Sequence, residues 1–123
     1  MNARYALRPN THLPLVYLYR DPVDFRKSYR GLSMIVEQEL NHNPFSEILY
    51  VFCNRHYNRI KCLLWESTGW VLYYKVLSEE HFHWPRGDEK LLSISGEQLN
   101  WLLDGYNLAL MKPHRVLEYE HVA

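Results

Sequence analysis

The stretch Arg55–Lys75, RHYNRIKCLLWESTGWVLYYK, combines large aromatic side chains with positive charge and contains a single carboxylate, that of Glu66. Two runs rich in branched and aromatic residues, Arg59 to Glu66 and Trp70 to Leu77, flank a turn at 67–69. The pattern predicts a two-stranded ribbon. Because cations attract phosphates and flat rings stack on bases or seal protein interfaces, this ribbon favours a binding surface over an active site.

Alternation along the two strands divides the ribbon into two faces. A four-residue connection would set Trp65 opposite Trp70, Leu63 opposite Leu72 and Lys61 opposite Tyr74 on one side. That face carries the candidate binding residues Arg59, Lys61, Trp65, Trp70 and Tyr74, and Arg55 and Lys75 add charge to the ribbon. The opposite face has the composition of a core. In an alternative that stays open, the tryptophans are core and the cations line its rim.

A second basic group, formed by Arg20, Arg26, Lys27 and Arg30, lies where a helix is predicted to begin. Acidic residues sit near the end of that helix, which is the reverse of what the helix dipole favours. Free amides at a helix start together with these cations suit a phosphate. Local ion pairs with Asp21 and Asp24 are the alternative.

Hydrophobic patterning predicts the elements outside the ribbon. They are a strand at Leu15–Tyr19, a helix from about Phe25 to Leu40, strands at Ile48–Cys53, Phe82–Trp84 and Leu91–Ile94, and a helix that Ser95 and Gln98 cap and Gly105 ends. Consecutive strands with short connections favour an antiparallel meander. The predicted fold is a single α+β domain, with four or five antiparallel strands packed against one long helix and a second C-terminal helix.

Length and composition set the limits of this fold. The 123 residues suffice for one domain, with an ordered core at about 13–106 and a loose arm at 1–12. For the tail at 107–123 the sequence predicts no particular structure. Residues up to Lys75 carry ten basic and six acidic side chains, against four and eight from Val76 onward, a pattern that suggests a nucleic-acid or charge-complementary partner. Without a signal peptide or membrane-spanning run, the chain is predicted to be cytoplasmic, with Cys53 and Cys62 buried and reduced.

Catalytic interpretations have less support in the sequence. His81-Phe82-His83 would place two imidazoles on one strand face to hold a metal, and Tyr106 would then be the nucleophile of a single-strand nuclease. Cys53 and Cys62 lack the close pairing of a zinc site. We therefore expect no enzyme, no catalytic residues, no metal and no cofactor.

Several spaced motifs resemble a known family. They are Asp24 to Lys27, Gly31 and Leu32, Asn43 to Ser46, Val51 and Phe52, Arg59 to Lys61, Trp65, Gly69, Leu72, Tyr73 and Lys75, and Phe82, Trp84 and Pro85. From about Leu15 to Tyr106 the chain is similar to the TnpB accessory proteins of the bacterial insertion-sequence class numbered sixty-six. It departs from that pattern at Phe25 and Ser28, where the family usually has methionine and glycine.

The resemblance implies a small protein encoded in a transposable element, needed for transposition without being the strand-transfer enzyme. Three hypotheses follow for its activity. It binds element-end DNA through the basic and aromatic residues; or it docks the element's transposase or a sister accessory protein; or, remotely, it is a metal-dependent single-strand nuclease. The sequence leaves the choice between DNA and protein, and the oligomeric state, open.

Overall fold

The computed structural model describes residues 7–13 and 15–111, which form a five-stranded sheet and two helices. The strands are β1 (Val16–Tyr19), β2 (Leu49–Cys53), β3 (Arg59–Glu66), β4 (Gly69–Val76) and β5 (Leu91–Ile94), in the spatial order β4-β3-β2-β1-β5. Helix α1 (Tyr29–Met34) continues as a π-helix (Ile35–Glu39), and α2 spans Gly96–Leu103. The α+β class and the second helix are as predicted.

The sheet is mixed, which corrects the prediction of a purely antiparallel meander. Strands β2, β3 and β4 do form an antiparallel meander, but β1 pairs parallel with β2, with Val16 opposite Leu49. The connection between β1 and β2 contains α1, and a helical crossover is the usual way to join parallel neighbours. Because β5 pairs antiparallel with the other edge of β1, the first strand lies inside the sheet.

Helix α1 is short, which corrects the prediction of one long helix from Phe25 to Leu40. Its α and π parts together span 11 residues. The backbone before it forms a turn, in which the Asp24 side chain accepts a hydrogen bond from the Arg26 N–H at 2.9 Å and its carbonyl accepts from the Lys27 N–H at 3.0 Å. Such local bonds compete with helix formation. Asp24 thus closes a turn and does not cap the helix.

Apolar side chains pack on both faces of the sheet. The α1-side core contains Tyr19, Val23, Leu32, Ile35, Val36, Tyr50, Phe52 and Leu63. The α2-side core contains Val16, Leu18, Leu49, Val51, Cys53, Ile60, Cys62, Phe82, Trp84, Ile94, Leu99, Leu102 and Leu103. Strand β2 is buried along its whole length, as expected for a central strand covered on both faces. Both cysteines are free and buried.

The predicted edge strand at Phe82–Trp84 is wrong. Phe82 and Trp84 are buried in the α2-side core, but their segment has no strand partner. It is held by individual hydrogen bonds: the Phe82 N–H donates to the Tyr57 carbonyl at 2.7 Å, and Trp84 Nε1 donates to the Arg20 carbonyl at 2.9 Å. The alternation of buried aromatic residues therefore gave this segment the sequence pattern of a strand, although it pairs with no strand among the described residues.

Helix α2 has the predicted ends. The Ser95 side chain accepts from the Gln98 N–H and the Gln98 side chain accepts from the Ser95 N–H, which is the capping box. Gly105, with φ of +93°, follows the last turn. Part of the predicted loose arm lies against this helix, since Arg8 forms a 2.7 Å ion pair with Asp104. Residues 1–6 of the arm and 112–123 of the tail lie outside the described part.

No helix within 7–13 and 15–111 has the length and apolar character needed to cross a membrane.

Candidate functional site

The β3–β4 hairpin carries the candidate residues in the predicted register. Trp65 lies opposite Trp70, and Lys61 lies opposite Tyr74. Since side chains alternate along a strand, these four and Arg59 face the α1 side of the sheet. The turn before the helix lies over the same face, because Lys61 bonds to its backbone. The sheet and the helix start therefore bring Arg59 and Lys61 onto the same side of the molecule as Arg26, Lys27 and Arg30, whereas Arg20 lies at a cavity on the α2 side of the sheet.

Three aromatic rings form a cluster at the turn end of the hairpin. The Trp65 and Trp70 ring centroids are 5.2 Å apart, and the Phe45 ring lies 5.0 Å from Trp65 and 5.5 Å from Trp70. The tryptophans are half-buried, whereas Phe45 is 55% exposed. The cluster therefore presents an exposed ring that two larger rings support from below.

Phe45 is a candidate that the sequence analysis did not include among the site residues. Asn43 fixes its loop, since the Asn43 side chain accepts from the Phe45 N–H at 3.0 Å and the Asn43 carbonyl accepts from the Ser46 N–H at 3.1 Å. The sequence does contain a signal for it. An aromatic ring inside an Asn-Pro-Phe-Ser turn occupies a position where polar residues dominate.

The start of α1 adds cations beside this cluster. Tyr29 is 37% exposed and lies 6.4 Å from the Trp70 ring, and the Arg30 guanidinium lies 6.0 Å from the Tyr29 centroid. Lys27 and Arg30 are both exposed. These side chains extend the aromatic cluster into a cationic edge.

Arg26 is also exposed, with 91% of its side chain accessible, although it pairs with Asp24 at 2.6 Å. The hydrogen bond from Arg26 lowers the pKa of Asp24 to about 2. This pair is the local neutralisation that the sequence offered as an alternative to phosphate binding. The carboxylate occupies one edge of the guanidinium and leaves Lys27 and Arg30 without such a partner among the described ion pairs.

Arg59 and Tyr74 form the other end of this face. Arg59 Nη1 donates to the Tyr74 hydroxyl at 2.9 Å, and the Tyr74 ring contacts the Phe25 ring edge-on at 5.8 Å. Both Arg59 and Tyr74 are exposed. Together, the cations and aromatic residues on this face form what we call the basic–aromatic surface: Phe25, Arg26, Lys27, Tyr29, Arg30, Phe45, Arg59, Trp65, Trp70 and Tyr74.

Lys61 faces the same side but is engaged within the protein. It is 6% exposed, and its ammonium donates to the carbonyls of Phe25 at 2.9 Å and Lys27 at 2.8 Å. The ammonium also lies 4.9 Å from the Phe25 ring and 5.0 Å from the Tyr74 ring. Burial, and secondarily the charge of Arg59, lowers the pKa of Lys61. Lys61 thus joins the turn before α1 to the sheet beneath the surface.

The other two sequence-derived candidates lie elsewhere. Lys75 donates to the Leu103 carbonyl at 2.8 Å, at the C-terminal end of α2 on the opposite face of the sheet. Arg55 is exposed on the turn between β2 and β3, which the buried Asn54 organises by accepting from the N–H groups of Asn58 and Arg59. Neither residue belongs to the basic–aromatic surface as defined.

The histidine pattern receives little support as a metal site. His81 and His83 are exposed outside any strand, and His81 Nδ1 donates to the His56 carbonyl at 2.5 Å. Within the part of the chain that the structure describes, no three His, Cys, Asp or Glu side chains gather to hold a metal ion. Among residues 7–13 and 15–111, the two imidazoles thus have no third protein ligand of the kind that a catalytic metal usually has.

Comparison with known proteins identifies the family. The sequence profile described as IS66 Orf2 like protein matches residues 15–113. The chain belongs to this family. Membership associates the IS66 Orf2-like protein with transposition, as an accessory component of an insertion sequence, and agrees with the resemblance seen in its motifs.

Two relatives come from Sinorhizobium fredii (strain NBRC 101917 / NGR234). The uncharacterized protein y4jC is 30% identical over 91 residues, 74% of this chain and 78% of its own length. The uncharacterized protein y4hO is 30% identical over 90 residues, 73% of this chain and 78% of its own length. No solved structure matches this IS66 Orf2-like protein.

Proposed function

We propose that this accessory protein binds DNA of its element through the basic–aromatic surface. The observation that carries the proposal is the convergence of the helix-start cations with the hairpin aromatics on one face. Four of the cations there, Arg26, Lys27, Arg30 and Arg59, are exposed. The Asp24 carboxylate is the one acidic group in an ion pair with them among the described contacts.

The two kinds of side chain would do different work. Arg and Lys side chains neutralise phosphates and release counterions, which gives affinity without sequence preference. Exposed rings that other rings support are suited to stacking on bases or to insertion between base steps. Phe45 is the ring best placed for this, because its loop is fixed by Asn43 and its flank rests on two tryptophans.

Lys61 and Lys75 are left out of the proposed contact set. Both ammonium groups donate to backbone carbonyls, and breaking those bonds would offset much of what a phosphate contact gains. Arg55 stays a peripheral candidate, as an exposed cation on the neighbouring turn.

The test is equilibrium binding of an element-end DNA fragment, followed by fluorescence anisotropy over a range of salt. With about three phosphate contacts, the logarithm of the binding constant should fall with the logarithm of salt with a slope of roughly −3. The double variant Lys27→Ala/Arg30→Ala should weaken binding and reduce the slope by roughly 2. Lys90→Ala, which alters an exposed lysine next to β5, is the matched control and should leave both quantities unchanged.

Absence of binding at low salt would exclude the proposal, as would equal binding by the double variant and the control. Phe45→Ala separates the contribution of the aromatic rings from that of the phosphate contacts, because it should weaken binding while leaving the salt slope unchanged.

A second candidate function rests on the same aromatic cluster. Tryptophan, tyrosine and arginine are the residues that most often anchor protein interfaces, and Phe45 with its two tryptophans forms an exposed apolar patch beside cations. In this alternative the surface docks the element's transposase or a sister accessory protein. Co-purification with the transposase that survives high salt and is lost in Trp70→Ala would favour it, whereas no association with either protein would exclude it.

A further inference from the structure

A cavity of about 930 Å³ opens on the α2 side of the sheet, away from the basic–aromatic surface. Its walls come from the segment 81–87, from β5, from the start of α2 and from residues 107–109. A volume of this size is in the range of small-molecule sites and is much larger than a bare inorganic ion requires. Its ring walls include Tyr57 and Trp84.

Arg20 lines this cavity, and one nitrogen of its guanidinium has no hydrogen-bond partner among the described residues. That nitrogen, Nε, is buried. A buried donor without a partner is costly, so natural structures usually supply one, either from the protein, from water or from a ligand. Arg20 therefore keeps one buried donor that no described residue satisfies.

Gly87 lies directly against this guanidinium. A Cβ atom at residue 87 would lie 1.5 Å from Arg20 Nη1 and 2.3 Å from its Cζ. A side chain at residue 87 would therefore require the Arg20 guanidinium to move. The backbone of Arg20 is held independently, because its N–H donates to the Lys90 carbonyl and its carbonyl accepts from Trp84.

The charges around the cavity favour an anion. Arg86 is a second guanidinium on its wall, together with the imidazoles of His81 and His83. Among the described lining residues, Asp21 is the one carboxylate. This is unusual for the second part of the chain, in which acidic residues outnumber basic ones. Guanidinium groups match phosphate oxygens in geometry as well as in charge.

We propose that this cavity binds a phosphorylated nucleotide, with its phosphate on Arg20 and Arg86 and its base against the aromatic wall. Two kinds of ligand carry a nucleoside with a 5′ phosphate: a free nucleoside monophosphate and the 5′-phosphorylated end of a DNA strand. The site does not depend on the basic–aromatic surface, and it stands if that surface binds protein instead.

The test is calorimetric titration of the full chain at low salt with deoxyadenosine 5′-monophosphate and with deoxyadenosine. The monophosphate should bind at least tenfold more tightly than the nucleoside, and this comparison needs no variant. Arg20→Gln and Gly87→Ala should each weaken the monophosphate at least tenfold, the second by displacing the guanidinium. Lys90→Gln, which alters an exposed lysine outside the cavity lining, is the control, and thermal melts verify that each variant folds.

A pair of oligonucleotides with and without a 5′ phosphate distinguishes the two sources. Preference for the phosphorylated strand, lost in Arg20→Gln, assigns the site to DNA ends, and preference only for the mononucleotide assigns it to a free ligand. The proposal is overturned if millimolar monophosphate does not bind, if the nucleoside binds equally well, or if a folded Arg20→Gln variant binds like the unaltered chain.

Discussion

Lys61 illustrates how a charged residue of the hairpin serves packing. Its ammonium donates to two carbonyls of the turn before α1 while lying between the rings of Phe25 and Tyr74. Sequence alternation correctly placed Lys61 on the same face as Trp65 and Tyr74. It could not reveal the partners, because these carbonyls lie more than thirty positions away in the chain.

Replacement of Lys61 by methionine should lower the free energy of unfolding by about 2 kcal/mol, because it removes two charge-assisted hydrogen bonds and leaves their carbonyls unpaired. Arg59→Met alters an exposed neighbour on the same strand and should change the free energy of unfolding by less than about 0.5 kcal/mol. Urea unfolding followed by circular dichroism measures both. Equal stability of the two variants would contradict the role assigned to Lys61.

The Asp24–Arg26 pair makes the stability of the protein depend on pH in the acid range. The hydrogen bonds from Arg26 hold its pKa at about 2, below the ordinary 3.8. Because the unfolded chain binds the proton more readily, this pair contributes stability above about pH 4 that is lost as the pH falls toward 2. A carboxyl-carbon NMR titration should find the low pKa in the native chain and a higher pKa in Arg26→Ala, which loses the guanidinium and keeps the backbone N–H bond. Arg30→Ala, which leaves the pair intact, should keep it low.

Helix α2 is fixed at both ends, and Lys75 supplies the contact that joins its C-terminal end to the sheet. Lys75 Nζ donates to the Leu103 carbonyl, where the helix dipole also favours a cation. Lys75→Met should therefore cost about 1 to 2 kcal/mol of unfolding free energy. Lys90→Met removes an exposed lysine and should be neutral within about 0.5 kcal/mol. The midpoints of denaturant unfolding of the two variants test this prediction, and an unchanged midpoint for Lys75→Met would count against the stabilising role of this contact.

At the scale of elements, the sequence predicted what depends on neighbouring residues. The hairpin register was predicted correctly, although Glu66 pairs with Gly69 and leaves Ser67 and Thr68 as the turn, where a four-residue connection was assumed. The start and end of α2 followed from Ser95, Gln98 and Gly105. The parallel pairing of β1 was missed because it depends on how the chain between β1 and β2 crosses the sheet. The long helix was missed because Asp24 and Arg26 form a turn first.

At the scale of the whole molecule, the two cysteines report on global unfolding. Cys53 and Cys62 lie in central strands, and burial raises the pKa of both thiols. Since the thiolate is the reactive form, alkylation in the native state should require opening of the sheet. Iodoacetamide labelling should be slow in buffer and rise with urea in parallel with loss of circular dichroism. Rapid labelling of the native chain would show that this core opens locally.

The sequence predicted the two cationic groups and the aromatics of the candidate site separately. Their convergence depends on the turn before α1 lying over the β3–β4 hairpin, a contact between distant segments that Lys61 makes. Phe45 entered the site for the same reason, because its exposure is set by the two tryptophans beneath it.

The position of β1 also determines when this protein can fold during its synthesis. Of the five described strands, β1 is synthesised first and β5 last, and β1 lies between β2 and β5 in the sheet. The β3–β4 hairpin can pair as soon as it emerges, whereas one edge of β1 stays open until residues 91–94 are available. A nascent chain that stops short of β5 therefore exposes an unpaired edge and an uncovered apolar face, the features that proteases and chaperones recognise. Interrupted translation of this protein should yield degradation and not a partial accessory factor.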